Sequence, residues 1–187
     1  MTPTQLLYDA GKQAIRTYSR GLLNMDVEWH APLPDGPVII APNHPTTVDP
    51  FVMLGLLPRR TRILVTESAF KVPVFGRYLR QTGHICVGHS SGRTAFDQAR
   101  ELLTNGHTLT VFPEGALSQA DGSLQRARTG VARLALLTGA AIVPVGIGLD
   151  RSRVRHLDTQ IDDQVETARL YLRGPYAVTV GRPLHLT

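Results

Sequence analysis

The chain has 187 residues, enough for one domain that buries a core without disulfides or metal. Its 42% hydrophobic and 19% charged residues exclude wholesale disorder, and the lone Cys86 excludes an intramolecular disulfide framework and suits a reducing compartment. A net charge of +5 points to an anionic partner: a phospholipid surface, the phosphates of a coenzyme or an acidic carrier protein. Nucleic acid is the weakest of the anionic candidates and is not expected as a partner, because the basic residues are dispersed and carry no recognisable binding signature.

In chain order, Leu6, Leu7, Ala10, Ala14, Tyr18 and Leu22 recur near the 3.6-residue period, with Lys12, Arg16 and Arg20 along the other side. Residues 1–24 therefore read as an amphipathic N-terminal helix. Two placements fit it: among the headgroups of an anionic membrane surface, or packed on the protein's own core. Strand-like and helix-like segments then alternate, with strands over 38–41, 62–66, 84–88, 107–112, 141–147 and 176–181. Helices are predicted over 50–57, 69–80, 93–104 and 126–137. The pattern predicts an α/β fold, a single domain over 1–187 with a mixed central β-sheet flanked by helices and a motif-bearing core over 36–148. Pro144 falls inside an apolar run, which predicts an edge strand or a bulge. Residues 150–163, rich in Arg, Asp and His, read as a mobile surface excursion. No apolar run reaches the roughly 18 to 20 residues that span a bilayer, and the N-terminus lacks the apolar core of a secretory signal. The expected location is cytoplasmic and peripheral, on the inner face of the membrane.

Two elements carry chemistry. Asn43-His44-Pro45-Thr46-Thr47-Val48-Asp49 sets an imidazole and a carboxylate at a strand-to-helix junction. A neutral imidazole accepts a proton near neutrality, and a carboxylate on its far nitrogen fixes the tautomer and stabilises the imidazolium, so the pair can deprotonate a hydroxyl. The same residues also read as a turn histidine followed by an Asp N-cap with Pro50 at the first helical position. The second element, Thr108-Leu109-Thr110-Val111-Phe112-Pro113-Glu114-Gly115, ends a β-rich run in Pro-Glu-Gly. It delivers a carboxylate to the carboxyl edge of a sheet, where open α/β folds place ligands.

H-x-x-x-x-D, then F-P-E-G, then Ile142-Val143-Pro144-Val145-Gly146, in that order and approximate spacing, resembles the glycerolipid acyltransferase family, typified by 1-acylglycerol-3-phosphate acyltransferases. The resemblance implies a glycerol-3-phosphate acyltransferase-like fold and transfer of a fatty acyl group from an acyl thioester to a lipid alcohol, a lysophospholipid above all. The donor would be acyl-CoA or acyl carrier protein, with no resident cofactor or metal. By the same resemblance His44 is the general base, Asp49 orients it, and no acyl-enzyme forms. The resemblance implies an acceptor contact for Glu114, and Asn43, Gly115, His89, Ser118, Arg126 and Arg128 are the further candidate substrate contacts. Asn43 reads equally as a loop anchor or an oxyanion donor, and Gly115 as a site of close approach or positive φ. The family usually continues F-P-E-G-T-R-S and ends its preceding block in arginine, whereas this chain has Leu117 and His89 there. Neither replaces a bidentate guanidinium on a phosphate. Arg126 and Arg128 are the basic residues nearest in sequence.

Other patterns compete. Gly88-His89-Ser90-Ser91-Gly92 fits the G-x-S-x-G elbow of serine hydrolases, and Asp150 or Asp158 followed by His185 has that class's chain order. Phe-Pro-Glu-Gly goes unexplained on that reading. Arg59, Arg60, Arg62, Lys71, Arg77 and Arg80 form the densest basic region and suit donor phosphates or a solvated face. Phe51, Met53, Leu54, Phe70 and Phe75 suit an acyl tunnel or a core. Cys86, in Ile85-Cys86-Val87, reads as a buried structural thiol.

Overall fold

The computed structural model describes residues 2–88, 91–161 and 164–186. Helix α1 (Pro3–Leu22) runs into strand β1 (Leu23–Trp29), followed by β2 (Val38–Pro42), α2 (Asp49–Leu56), β3 (Thr61–Thr66), α3 (Glu67–Lys71), α4 (Phe75–Gln81) and β4 (Ile85–Val87). Next come α5 (Gly92–Thr104), β5 (Thr108–Thr110), α6 (Gly130–Thr138), β6 (Ala141–Leu149), β7 (Arg155–Ile161), β8 (Gln164–Leu170) and β9 (Gly174–Val180). Seven strands form one mixed sheet in the order β1-β9-β6-β2-β5-β3-β4, parallel at every pairing except β6 against β9.

The continuous apolar run of β2 follows from burial on both faces. Val38 and Ile40 pack toward Val52, Met53 and Leu57 at α2, while Ile39 packs toward Ala99 and Leu103 of α5 and Leu134 of α6. Full burial of side chains such as Ile39 and Ile40 stabilises by about 1.5–3 kcal/mol each. Because Ile40 of β2 is level with Thr110 of β5, the loops that leave these two strands emerge side by side at the carboxyl edge. Both motifs therefore meet there.

Four expectations need correction. The helix predicted over 69–80 is two helices, because Pro73 holds Val72 extended (φ −64°, ψ 123°) and Val74 at φ 62° turns the chain into α4. The helix predicted from 126 starts at Gly130, since Arg128 donates its backbone N–H to Pro113 and Gln125 donates its own to Glu114. Half of residues 150–163 are regular strand and not loop: 155–161 form β7, which pairs with β8 from Arg155↔Leu170 to Ile161↔Gln164. None of that ribbon's described side chains is buried, and its sequence lacks the apolar alternation that marks a half-buried strand. Pro144 lies in an interior strand, not at an edge; it is tolerated because β9 has ended at its level, where Gly181 donates to its carbonyl at 2.9 Å.

Strand β1, with its Leu23, Met25, Val27 alternation, was masked by the helical pattern running into it. Helix α1 also turns an unexpected face inward: Tyr8, Lys12 and Ser19 are buried, while Leu6 and Leu22 are exposed. Lys12 Nζ donates to Leu57 O at 2.6 Å and Arg16 Nε to Gly55 O at 2.8 Å. The expected basic flank is thus directed at the carbonyls ending α2, where cations complement the helix dipole. Cys86 is only partly buried, on the edge strand β4.

Candidate active site

His44 leaves β2 on a loop whose backbone is clamped from the β5 side. Its N–H faces Glu114 Oε1 at 3.0 Å and Ser118 Oγ at 3.1 Å, and its carbonyl accepts from the Ser118 N–H at 2.8 Å. Ser118 donates its hydroxyl to Glu114 Oε1 at 2.7 Å, and the Gln125 N–H donates to Glu114 Oε2 at 2.7 Å. The Glu114 carboxylate is therefore a buried tie between the two motif loops. Asn43 takes the anchoring role of its two readings, accepting from Ile147 N–H at 2.6 Å and donating to Ile147 O at 3.0 Å.

Asp49 is fully buried and accepts four hydrogen bonds. His44 Nδ1 and the Thr46 N–H bond Oδ2 at 3.1 and 2.7 Å; the hydroxyls of Thr46 and Tyr176 donate to Oδ1 at 2.5 and 2.8 Å. Asp49 is not the N-cap of α2; Val48 holds that position, and the carboxylate turns back onto the preceding loop. A carboxylate only accepts, so Nδ1 carries the proton and Nε2 is left with its lone pair free to act as a base. The imidazole stacks on Phe112, ring centroids 4.0 Å apart, which fixes its plane. Burial and the neighbouring Asp49 carboxylate hold the Tyr176 phenol well above its ordinary range, so it stays a donor.

His44 opens on a cavity of about 640 Å³. Its walls are mostly apolar, with Phe51, Leu54 and Phe75 among them, whereas Met53 and Phe70 are core residues that do not line it. His84 and Tyr78 also line it, with Ile63 and Leu79. His84 Nδ1 accepts from the Ile63 N–H at 3.1 Å, and burial pulls the imidazole down to about 4.

Gly115 and Arg128 stand at the cavity wall, with Gly115 at φ 67°; Arg126 is exposed and does not line it. His89 and Ser90 lie outside the described residues, so the acceptor-side histidine and the hydrolase nucleophile have no geometry here. Asp150 and Asp158 bond locally to Ser152 and Arg153, and to Thr167. Most of the basic region is also engaged: Arg59 with Pro34 O, Arg60 with Asp9, Arg80 with Phe70 O and Lys71 with Glu67.

Four contributors escaped sequence reasoning. Thr46 and Phe112 sat inside the motifs, but only geometry assigns the hydroxyl and the ring. Tyr176 reaches Asp49 from the antiparallel β9, and Arg169 of β8 exchanges hydrogen bonds with Thr47 and donates to Ser118 O at 2.6 Å. No local signal marks either.

The acyltransferase family model matches residues 24–148. A 1-acyl-sn-glycerol-3-phosphate acyltransferase of Chlamydomonas reinhardtii is 29% identical over 117 residues, covering 61% of this chain and 35% of that protein. A chloroplastic enzyme of the same name from Arabidopsis thaliana is 27% identical over 135 residues, covering 71% and 37%. The chain thus spans little more than a third of the length of these curated relatives. The crystal structure of the 1-acyl-sn-glycerophosphate acyltransferase PlsC from Thermotoga maritima shares the fold, with a TM-score of 0.68 at 22% identity, over 97% of this chain and 68% of that one.

Proposed function

This chain belongs to the acyltransferase family, and from that premise we propose that it moves a fatty acyl group from an acyl thioester to the free hydroxyl of a lysophospholipid, 1-acylglycerol-3-phosphate being the model acceptor. The observation that carries the reading is the 3.1 Å contact of His44 Nδ1 with a buried, four-bonded Asp49 at the mouth of an apolar cavity. His44 Nε2 takes the acceptor's proton as its oxygen attacks the thioester carbon; the resulting imidazolium is stabilised by Asp49 and returns the proton to the departing thiolate. The acyl chain lies along the apolar wall. The donor is acyl-CoA or acyl carrier protein, and the work is done peripherally at the inner face of a membrane, where a lipid acceptor resides and a net charge of +5 favours an anionic surface. No helix among the described residues is long and apolar enough to cross a membrane.

The test is release of free thiol from acyl-CoA and from acyl carrier protein, with and without 1-acylglycerol-3-phosphate. Acceptor-dependent release is expected, and His44→Ala lowers it by about a hundredfold to ten-thousandfold. Acceptor-independent release, or an unaffected His44→Ala protein, overturns the proposal.

A further inference from the structure

Leu117 and His89 stand where the family that the motifs resemble usually has arginine, so a phosphate on the acceptor needs another cation. We infer that Arg128 is that cation, fixed in the wall of the His44 cavity, an inference that rests on the proposed acyl transfer.

Four observations converge on Arg128. It lines the same cavity as His44, Gly115 and Leu117. Its backbone N–H donates to Pro113 O at 2.8 Å, which binds it to the Pro-Glu-Gly turn. The strand of chain leading to it is strapped to that turn twice more, by Gln125 N–H to Glu114 Oε2 at 2.7 Å and by Gln125 Nε2 to Leu117 O at 2.5 Å. Its side chain then lies on Gly115, where a Cβ would stand 2.6 Å from Nε and 2.9 Å from Cζ. The glycine is required twice over: for its positive φ, and because a methyl group would lift the guanidinium off its seat.

The charge placed there is uncompensated among the described residues. Arg128 makes no side-chain hydrogen bond or ion pair with them. The nearest acid in sequence, Asp121, is bonded to the backbone and hydroxyl of Ser123, and Glu114 has both oxygens occupied by His44 N–H, Ser118 and Gln125 N–H. An exposed arginine whose backbone is anchored but whose guanidinium is unpaired keeps its planar fork available for two phosphate oxygens.

Position selects the source of that phosphate. In 1-acylglycerol-3-phosphate the phosphate sits on the carbon next to the reacting one, so a cation on the His44 loop's partner turn suits it. The phosphates of coenzyme A or of a carrier protein are separated from the thioester by the whole pantetheine arm.

The decisive measurement is kcat/KM for 1-acylglycerol-3-phosphate divided by that for the uncharged monoacylglycerol, in wild type, Arg128→Gln and Arg128→Lys, each checked for folding by circular dichroism. Arg128→Gln should lower this ratio about ten- to a hundredfold, with Lys intermediate, as expected for a charge-assisted bond replaced by a neutral one. Gly115→Ala, which retains the charge but not its seat, should lower it too. An unchanged ratio overturns the inference while leaving acyl transfer standing. Repeating the series with a phosphate-free acyl thioester donor separates the sources: if the Arg128→Gln effect disappears, the cation serves the donor and the inference fails. No turnover of wild type with any acceptor would instead defeat the acyl-transfer reading, and calorimetric binding of glycerol 3-phosphate to wild type but not Arg128→Gln remains an independent readout.

Discussion

At the His44 end of the cavity every side-chain polar atom of Asn43, Asp49 and Glu114 has a partner, whereas at the Tyr78 end two buried atoms, Tyr78 Oη and His84 Nε2, have none. Both regions line one cavity. A satisfied network in a low-dielectric setting is stiff, because any displacement exposes a donor or acceptor to an unpaired state. The His44 imidazole is held on its backbone, its ring face and its Nδ1 at once, which is the preorganisation that the proposed proton transfer requires. Around Tyr78 packing does more: apart from the Ile63 N–H bond to His84 Nδ1, the Tyr78 hydroxyl abuts α1 at Gly11 so closely that any Cβ there would collide with it. On the proposed function, proton transfer falls where hydrogen bonds over-determine position, and the acyl chain where packing predominates.

The largest effect should follow from breaking the stiff end at its centre. Asp49→Asn keeps the volume but offers an amide that can donate as well as accept, so the imidazole tautomer is no longer fixed; turnover should fall by about a hundredfold or more with little change in KM for the acceptor. A fall in affinity at unchanged kcat would mean that Asp49 shapes the binding site rather than the base.

At the far end the expected signature is acid lability rather than lost rate. His84 titrates near 4 in the folded chain, against an ordinary value near 6.5, because burial and then the Arg62 charge disfavour its imidazolium. Between these values the unfolded chain binds more protons, so native stability declines as pH falls from about 6.5 toward 4, by about 3 kcal/mol in total. His84→Phe should remove most of that slope in urea melts, although it also deprives the Ile63 N–H of its acceptor and so lowers stability at neutral pH. An unaltered slope would place the acid-sensitive group elsewhere.

The same division governs what could be read from the amino acids. His44, Asp49, Glu114 and Gly115 are local motifs next to apolar strands, and the strands that carry them were recognisable because β2 is buried on both faces. The ribbon of β7 and β8 was not, since none of its described side chains is buried to impose a period of two, and β1 was hidden by the helix that precedes it. The basic side of α1 was visible as a pattern, but the pattern does not say that Lys12 and Arg16 meet the end of α2. Most remote of all is Tyr176, brought to Asp49 across 127 positions by the antiparallel return of β9.

Tyr176 offers the finest probe of the stiff end, because it shares Asp49 Oδ1 with the Thr46 hydroxyl. Tyr176→Phe keeps the ring in the core beside Tyr171 and removes one donor, leaving the carboxylate three bonds; the cost should be about 1.5 kcal/mol, the low end for a bond to a charged group. Thr46→Val should behave alike. Removing both strips Oδ1 of its two hydroxyl donors within the protein, so the double variant should lose more than the sum of the singles by about 1 kcal/mol in denaturant unfolding, the sign of two groups sharing one buried charge. Simple additivity would show that Asp49 relies on the Oδ2 side alone. Its grip on His44 would then be set entirely by the H-P-T-T-V-D loop, with β9 acting only as a packing surface.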